Sequence, residues 1–349
     1  MVKSKTGILQ IFTVLRGSVL AWVLPTVSLL TFIASWAGLY PSSFVERVYG
    51  RWIFPKLSSA GGGLADLISI SWLDVLVPVG IVLLVVLLWK RRWVLLGNIA
   101  AALYLIFFWT WGLNYHRQPL AAKLEVDSAR MQDEAMTAFA ERALEQVNRL
   151  YSEKQKSAYD EDRLSAEAVR RVRRVVAIID GSEWDSAQRI KISRVSNPWL
   201  HAAGIDGVFN PFPHEPVISD TIVDVERPFV IAHELAHVRG YPDEGDANLI
   251  ATFATIMSDD PAFRYSGWLN LWMYLRTREL EKRLEPGPRQ DLQRIFERAR
   301  REQIPWVNNF QHSLLDIFLK ANSVEEGVRS YSRVVILASG TEPFWDRFR

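Results

Sequence analysis

Phe229-Val230-Ile231-Ala232-His233-Glu234-Leu235-Ala236-His237-Val238-Arg239-Gly240 decides how this chain is read. It contains the spacing His-Glu-x-x-His. On an α-helix, residues i and i+4 share a face, so His233 and His237 can grip one metal ion. Glu234 stands beside them, where a base can act on the water that such an ion activates. An apolar run leads in, Leu235 and Ala236 are good helix formers, and Gly240 can end the helix. A surface helix with two solvated histidines would not need that apolar approach. The chain has only 6 histidines, so a histidine-rich composition does not explain the spacing.

A catalytic zinc site takes three protein ligands and keeps one position for water. The 349 residues include no cysteine, which leaves His, Asp or Glu as the third ligand and excludes disulfides. Downstream lies Tyr241-Pro242-Asp243-Glu244-Gly245-Asp246-Ala247-Asn248. Three acids compete. Asp243 stands where the metzincin pattern has its third histidine. Glu244 opens Glu-x-x-Ala-Asn, which resembles the Glu-x-x-Ala-Asp of gluzincins, whose Glu binds zinc. Asp246 follows two residues later. Pro242 suits a first helical position, and acids in a first turn complement the helix dipole. One acid is therefore expected on the metal and the others at a helix start. Glu244 is the favoured ligand, and Asn248, one turn on, is placed to steady a ligand from behind.

Outward from this stretch the composition splits. The chain is 49% hydrophobic with 14 Trp, and its apolar residues concentrate before residue 116. Three charge-poor stretches, about 18–40, 68–89 and 93–115, are each long enough to cross a bilayer. The first is too long for a signal peptide. Asp74 lies near the start of the second, at the expected membrane interface. Residues 1–17 read as a cytoplasmic tail and 41–67, with Gly61-Gly62-Gly63, as an extracytoplasmic loop. Lys3, Lys5, Arg16, Lys90, Arg91 and Arg92 lie on one side; Arg47, Arg51, Lys56, Arg117 and Lys123 lie on the other. Six against five, with the compact basic turn at 90–92, places the N-terminus in the cytoplasm and the C-terminal domain outside it.

Residues 116–349 carry most of the charge. Helices are expected at 129–155, 164–179, 244–257, 265–284, 288–302 and 306–321, a strand at 189–195, and a strand-loop segment at 204–222. In the first helix Met131, Ala135, Phe139, Ala143 and Val147 recur at helical spacing. Arg170, Arg171, Arg173 and Arg174 read as a solvated helix face. With a net charge of only +2, nothing argues for nucleic acid. His201, His214 and His312 lack ligand spacing and read as non-ligands, with His214 nearest the cleft.

Several separate stretches resemble one family. Trp111-Gly112-Leu113-Asn114-Tyr115-His116-Arg117, Gly207 to Glu215, His233 to Asn248, Arg264-Tyr265-Ser266-Gly267 and Gly327-Val328-Arg329-Ser330-Tyr331 are similar to motifs of the bacterial membrane proteins grouped as domain of unknown function 3810. This chain departs from them in having His116 for Tyr, Pro213 for Thr, and Gly245-Asp246 for Asp-Glu. The resemblance implies a bacterial cytoplasmic-membrane protein with a zinc site. The fold expected is a three-helix membrane region followed by an α+β, mainly helical, zincin-like metallopeptidase domain. Its partners would be the lipid bilayer and a peptide or protein substrate. The expected activity is zinc-dependent peptide hydrolysis, with Glu234 as general base and Tyr265 stabilising the oxyanion. An extended substrate would pair with an edge strand near Val208 to Glu215 or at 190–195. The competing expectation is a non-catalytic envelope protein in which zinc stabilises the fold or a partner surface.

Overall fold

The computed structural model describes the backbone of residues 5–154, 161–181, 188–321 and 330–348. Gly327, Val328 and Arg329 of the last family-like motif, and Lys3 of the tail, lie outside the described residues. α1 (Lys5–Trp36) comes first, then α2 (Ser42–Phe44), a π-helical stretch (Val45–Ile53) and α3 (Phe54–Ala65). α4 (Trp72–Trp89) and α5 (Trp93–Thr110) follow, joined by Lys90, Arg91 and Arg92. Next are α6 (Asp133–Lys154), α7 (Glu161–Asp180), β1 (Lys191–Ile192), α8 (Asn197–Ala203), β2 (Gly207–Asn210) and β3 (Glu215–Ile218). The chain continues through α9 (Arg227–Val238), α10 (Glu244–Ile256), α11 (Pro261–Leu275), α12 (Arg278–Lys282), α13 (Pro286–Glu302), α14 (Pro305–Ala321) and α15 (Ser330–Thr341). The sheet has the order β1-β3-β2, with β1 parallel and β2 antiparallel to β3.

α4 and α5 are long and apolar enough to cross a membrane. Among the described side chains, α1 contributes a shorter apolar stretch, Ala21–Trp36. It packs on α5, where Asn98 donates to the Ala21 carbonyl (2.9 Å) and Phe32 meets Tyr104 edge to face. α4 and α5 are shorter than the apolar stretches of sequence at 68–89 and 93–115. α4 begins at Trp72 because Ser71 caps it, accepting from the Leu73 N–H. α5 gives way at Trp111 to a 3-10 turn, Gly112–His116.

Residues 41–67 are helical, not a loop. The three glycines lie inside α3, where Gln188 and His214 press against Gly62 and Gly61. Asp74, at the start of α4, is enclosed by the domain. It is buried and accepts from Ser193 Oγ (2.8 Å) and from the N–H groups of Arg194 (2.6 Å) and Ser196 (2.8 Å). In exchange, buried Glu215 of β3 accepts from the Trp72 N–H (3.1 Å) and Ser71 Oγ (2.9 Å) and pairs with Lys191 (2.8 Å). A carboxylate at the first turn satisfies helix N–H groups that have no partner within the helix. The apolar hairpin and the sheet are thus locked together at the start of α4.

α10 is the central helix. Every residue from Gly245 to Ile256 is buried, and its polar members Asp246, Asn248, Thr252 and Thr255 bond internally. It packs against α7, α9, α11 and α15. α6 lies on α11 and buries Phe139, Ala143 and Val147, the helical stripe expected from sequence. The expected 265–284 helix breaks into α11 and α12, because Thr277 caps a new start at Arg278, accepting from the Leu280 N–H. Arg170, Arg171, Arg173 and Arg174 of α7 do not share one solvated face. Arg171 is buried, bound to Glu167, Asp259 and the Met257 carbonyl.

Candidate metal centre

The end of α9 builds the centre. Gly240 adopts φ +80°, a left-handed conformation open to glycine. The chain then closes a Schellman motif: the Gly240 N–H donates to the His237 carbonyl (2.9 Å) and the Tyr241 N–H to the Ala236 carbonyl (3.2 Å). This turn brings the Tyr241 carbonyl to 2.8 Å from His237 Nδ1. A carbonyl only accepts, so Nδ1 carries the proton and Nε2 keeps its lone pair. His233 is set the same way. Its Nδ1 lies 2.9 Å from Asn248 Oδ1 on α10, one turn from Glu244.

The third acid is sorted by the start of α10. Asp243 is the cap, accepting from the Asp246 N–H (3.0 Å). Asp246 turns to the Leu120 N–H (3.1 Å). Glu244 alone of the three joins the histidines, with Oε2 3.2 Å from His233 Nε2 and 3.8 Å from His237 Nε2. The two Nε2 atoms are 3.1 Å apart, and the ligand atoms of His233, His237 and Glu244 all lie within 4.8 Å of one another.

The donor set fits a divalent cation. Two imidazole Nε2 atoms and a carboxylate oxygen lie within 4.8 Å of one another, and a metal ion or a proton between them relieves their repulsion. The titration of the cluster expresses the same demand. Burial opposes a charge on His237, yet Glu244 and Glu234 raise its pKa to about 9. Burial also opposes ionisation of Glu244, but the two histidines hold its carboxyl well below the usual range.

Glu234 points elsewhere. Its side chain lies against Gly207 of β2, so close that a Cβ at 207 would overlap the carboxylate. Glu234 is buried, and its Oε2 has no hydrogen-bond partner among the described residues. Burial pushes its pKa up to about 7 against the pull of His233 and His237. Glu234 thus lies between α9 and the edge strand β2.

The far end of α9 is held by the N-terminal third of the chain. The last carbonyls of a helix have no partner within it. Here Trp111 Nε1 donates to His237 O (3.4 Å) and Ser58 Oγ to Val238 O (3.1 Å). Arg117 Nη1 donates to Arg239 O (3.4 Å) and Gly240 O (3.1 Å). Arg117 is itself buried in a charge network. It pairs with Glu46 (2.9 Å) and Asp180 (3.1 Å), and Lys123 pairs with the same two acids (2.8 and 2.9 Å). The Tyr241 hydroxyl donates to Asp180 (2.6 Å), which returns the network to the residue that orients His237. Ser58, Trp111 and Arg117 have no metal-ligand signature. Trp111 and Arg117 were signalled by the family-like stretch Trp111 to Arg117, and nothing marked Ser58.

Tyr265 is not part of this group. It is fully buried, and its hydroxyl donates to Asp291 (2.8 Å), which also pairs with Lys154 (3.1 Å). The expected oxyanion role is corrected accordingly: the hydroxyl is committed to an internal carboxylate. His201 bonds to Asp220 (3.0 Å), and His312 is exposed on α14. His214 is buried against Phe54 and Phe209, and the Phe209 ring also neighbours His237.

The family described as protein of unknown function (DUF3810) matches residues 49–338, most of the chain. This chain belongs to that family. The DUF3810 match spans α3 to α15 and so includes the capping residues Ser58, Trp111 and Arg117 as well as the His-His-Glu cluster. No curated protein and no solved structure matches the chain.

Proposed function

We propose that this chain is a membrane-anchored zinc endopeptidase with a zincin-like catalytic domain. The observation that carries the reading is the convergence of His233 Nε2, His237 Nε2 and a Glu244 carboxylate oxygen beside a buried glutamate that none of them needs as a ligand. His233, His237 and Glu244 would hold the ion. Bound there, zinc supplies Lewis acidity, polarising a carbonyl and acidifying water. Glu234 accepts a proton from the attacking water at Oε2 and returns it to the leaving amine. Asn248 and the Tyr241 carbonyl hold both imidazoles in the tautomer that presents Nε2. β2 is an edge strand lying on Glu234, and an extended peptide would pair along it.

For the membrane region we propose three spans, α1, α4 and α5, with the catalytic domain outside the cytoplasm. The ion pairs of Arg117 and Lys123 strengthen that orientation. Both are buried against Glu46 and Asp180, and Arg51 also reaches Glu46 (3.9 Å), so of the five cations on the domain side only two, Arg47 and Lys56, are outside this network.

The test is cleavage of a peptide library by the purified protein, with and without chelator, beside Glu234→Gln. That variant keeps the shape and loses the base. It is expected to retain zinc and to lose turnover by about 100-fold or more. Wild-type rates on a verified substrate would overturn the peptidase reading in favour of a zinc-stabilised scaffold.

A further inference from the structure

α14 carries an apolar stripe that no other part of the described structure covers. Trp306, Phe310, Leu314 and Ile317 are 70, 52, 49 and 65% exposed. Their spacing of four, four and three residues puts them on one helix face. Val307 and Leu319 are buried against the rest of the protein, while Asn309, His312 and Ser313 are exposed and polar. The helix therefore has a protein side, a polar side and an uncovered apolar side.

The fold fixes the level of this stripe. α4 and α5 are joined by a short basic turn, so the start of α4 and the end of α5 lie at the same end of the apolar hairpin. At the end of α5, Phe318 of α14 packs on Phe107 and Tyr115, with ring centroids 5.9 Å apart in each case. At the start of α4, Asp74 holds the backbone of Arg194 and Ser196, and Val195 between them is 60% exposed. That segment leads into α8, whose Trp199 is also exposed. α8 and α14 are bolted together: the Ile304 N–H donates to the Ala202 carbonyl (3.0 Å) and Asn308 Nδ2 to the Ala203 carbonyl (2.8 Å). Two independent attachments thus bring exposed apolar side chains to the end of the hairpin that meets the domain.

We propose that α14 is an interfacial helix, lying flat on the bilayer with Trp306, Phe310, Leu314 and Ile317 in the acyl boundary. A helix with a tryptophan near its start, an apolar stripe and a polar flank has the character of such a segment. The proposal rests on the reading of α4 and α5 as spans, since their exposed apolar surface continues into the stripe. It also seats the metal centre close to the membrane, because Trp111, next to the Phe107–Phe318 contact, donates to the His237 carbonyl.

The chain has no cysteine, so single labels can be introduced cleanly. Phe310→Cys, Leu314→Cys and Ile317→Cys test the stripe, and Asn309→Cys and His312→Cys the polar flank. Val82→Cys, on the exposed face of α4, serves as the reference. Each full-length variant carries an environment-sensitive fluorophore in phosphatidylcholine vesicles with bromines on the upper acyl chain, the depth of about 5–10 Å expected for such a helix. The stripe labels are expected to be quenched several-fold more than the flank labels. Quenching at Val82 with none on the stripe would overturn the proposal and leave the spans standing. Quenching at neither would overturn the spans and the proposal together. Stripe labels that are shielded from water yet unquenched would mean that a second copy covers the helix, which also overturns it.

Discussion

Arg117, seven residues beyond the end of α5, lies within hydrogen-bond reach of the carbonyl of Gly240, 3.1 Å away, just past the helix that carries His233 and His237. The same guanidinium pairs with Glu46 and Asp180. Arg117→Ala would leave two buried carboxylates with Lys123 as their one buried cation among the described residues. Breaking one partner out of a buried ion pair costs about 3–5 kcal/mol. Thermal unfolding of the purified variant is expected to show that loss, together with reduced zinc content. An unchanged melting temperature would mean that the network does not hold the end of α9.

Zinc binding should follow the geometry of the cluster. Wild-type protein is expected to carry about one zinc per chain, as a three-ligand site requires. His233→Ala and His237→Ala should abolish binding. Glu244→Gln should weaken it more than Asp243→Asn or Asp246→Asn, whose wild-type carboxylates serve backbone N–H groups. Asn248→Ala frees His233 Nδ1 and should weaken it by about 10–100-fold. Metal analysis after dialysis against graded chelator checks all of these together.

Gly207→Ala probes the contact between β2 and Glu234. The added methyl cannot share space with the carboxylate, so the base must shift while the ligands stay. Displacement of a reacting group by about 1 Å costs on the order of 100-fold in rate. Zinc content should be unchanged and turnover of a verified peptide should fall by about that factor. Equal losses of both would place Gly207 in folding alone.

Acid should destabilise the protein through the same buried network. Burial opposes ionisation of Glu46 and Asp180, but Arg117 and Lys123 outweigh it and hold both carboxyls below their ordinary values of 4.5 and 3.8. An acid with a depressed folded pKa stabilises the fold above its unfolded pKa, and that contribution disappears as pH falls through the folded value. Stability is therefore expected to be flat on this account near neutrality and to decline below about pH 4. Thermal unfolding of wild type beside Glu46→Gln tests it. The variant should be less stable at pH 7 and show a shallower acid decline.

The clustering of His233, His237 and Glu244 was legible in sequence because spacing on helices is local. Four residues make one turn, and Glu-x-x-Ala-Asn sets Glu244 and Asn248 on one face. The caps were not visible because they are bonds from side chains to backbone carbonyls. Any residue has a carbonyl, so nothing at Val238 marks it as the acceptor for Ser58. Residues 41–67 read as a loop because three glycines and few long apolar runs signal a break. In the fold those glycines let α3 press on Gln188 and His214. Tyr265 was misread for the opposite reason. Its hydroxyl suggested chemistry, but its partner Asp291 lies on a different helix that the sequence does not link to it.

The clamps on α9 also carry a consequence for how the chain folds. Ser58, Trp111 and Arg117 reach across 180, 126 and 123 residues to the carbonyls of Val238, His237 and Gly240. Closing such loops costs entropy before any contact rewards it, and folds rich in distant contacts form slowly. The N-terminal third leaves the ribosome long before α9 exists. The caps that finish α9 must therefore wait for a late, long-range docking, whereas the contacts that orient His233 and His237 are local. A chain stalled before that docking would carry both histidines on a helix whose last carbonyls are uncapped, which ties the anchoring of the centre to completion of the whole molecule.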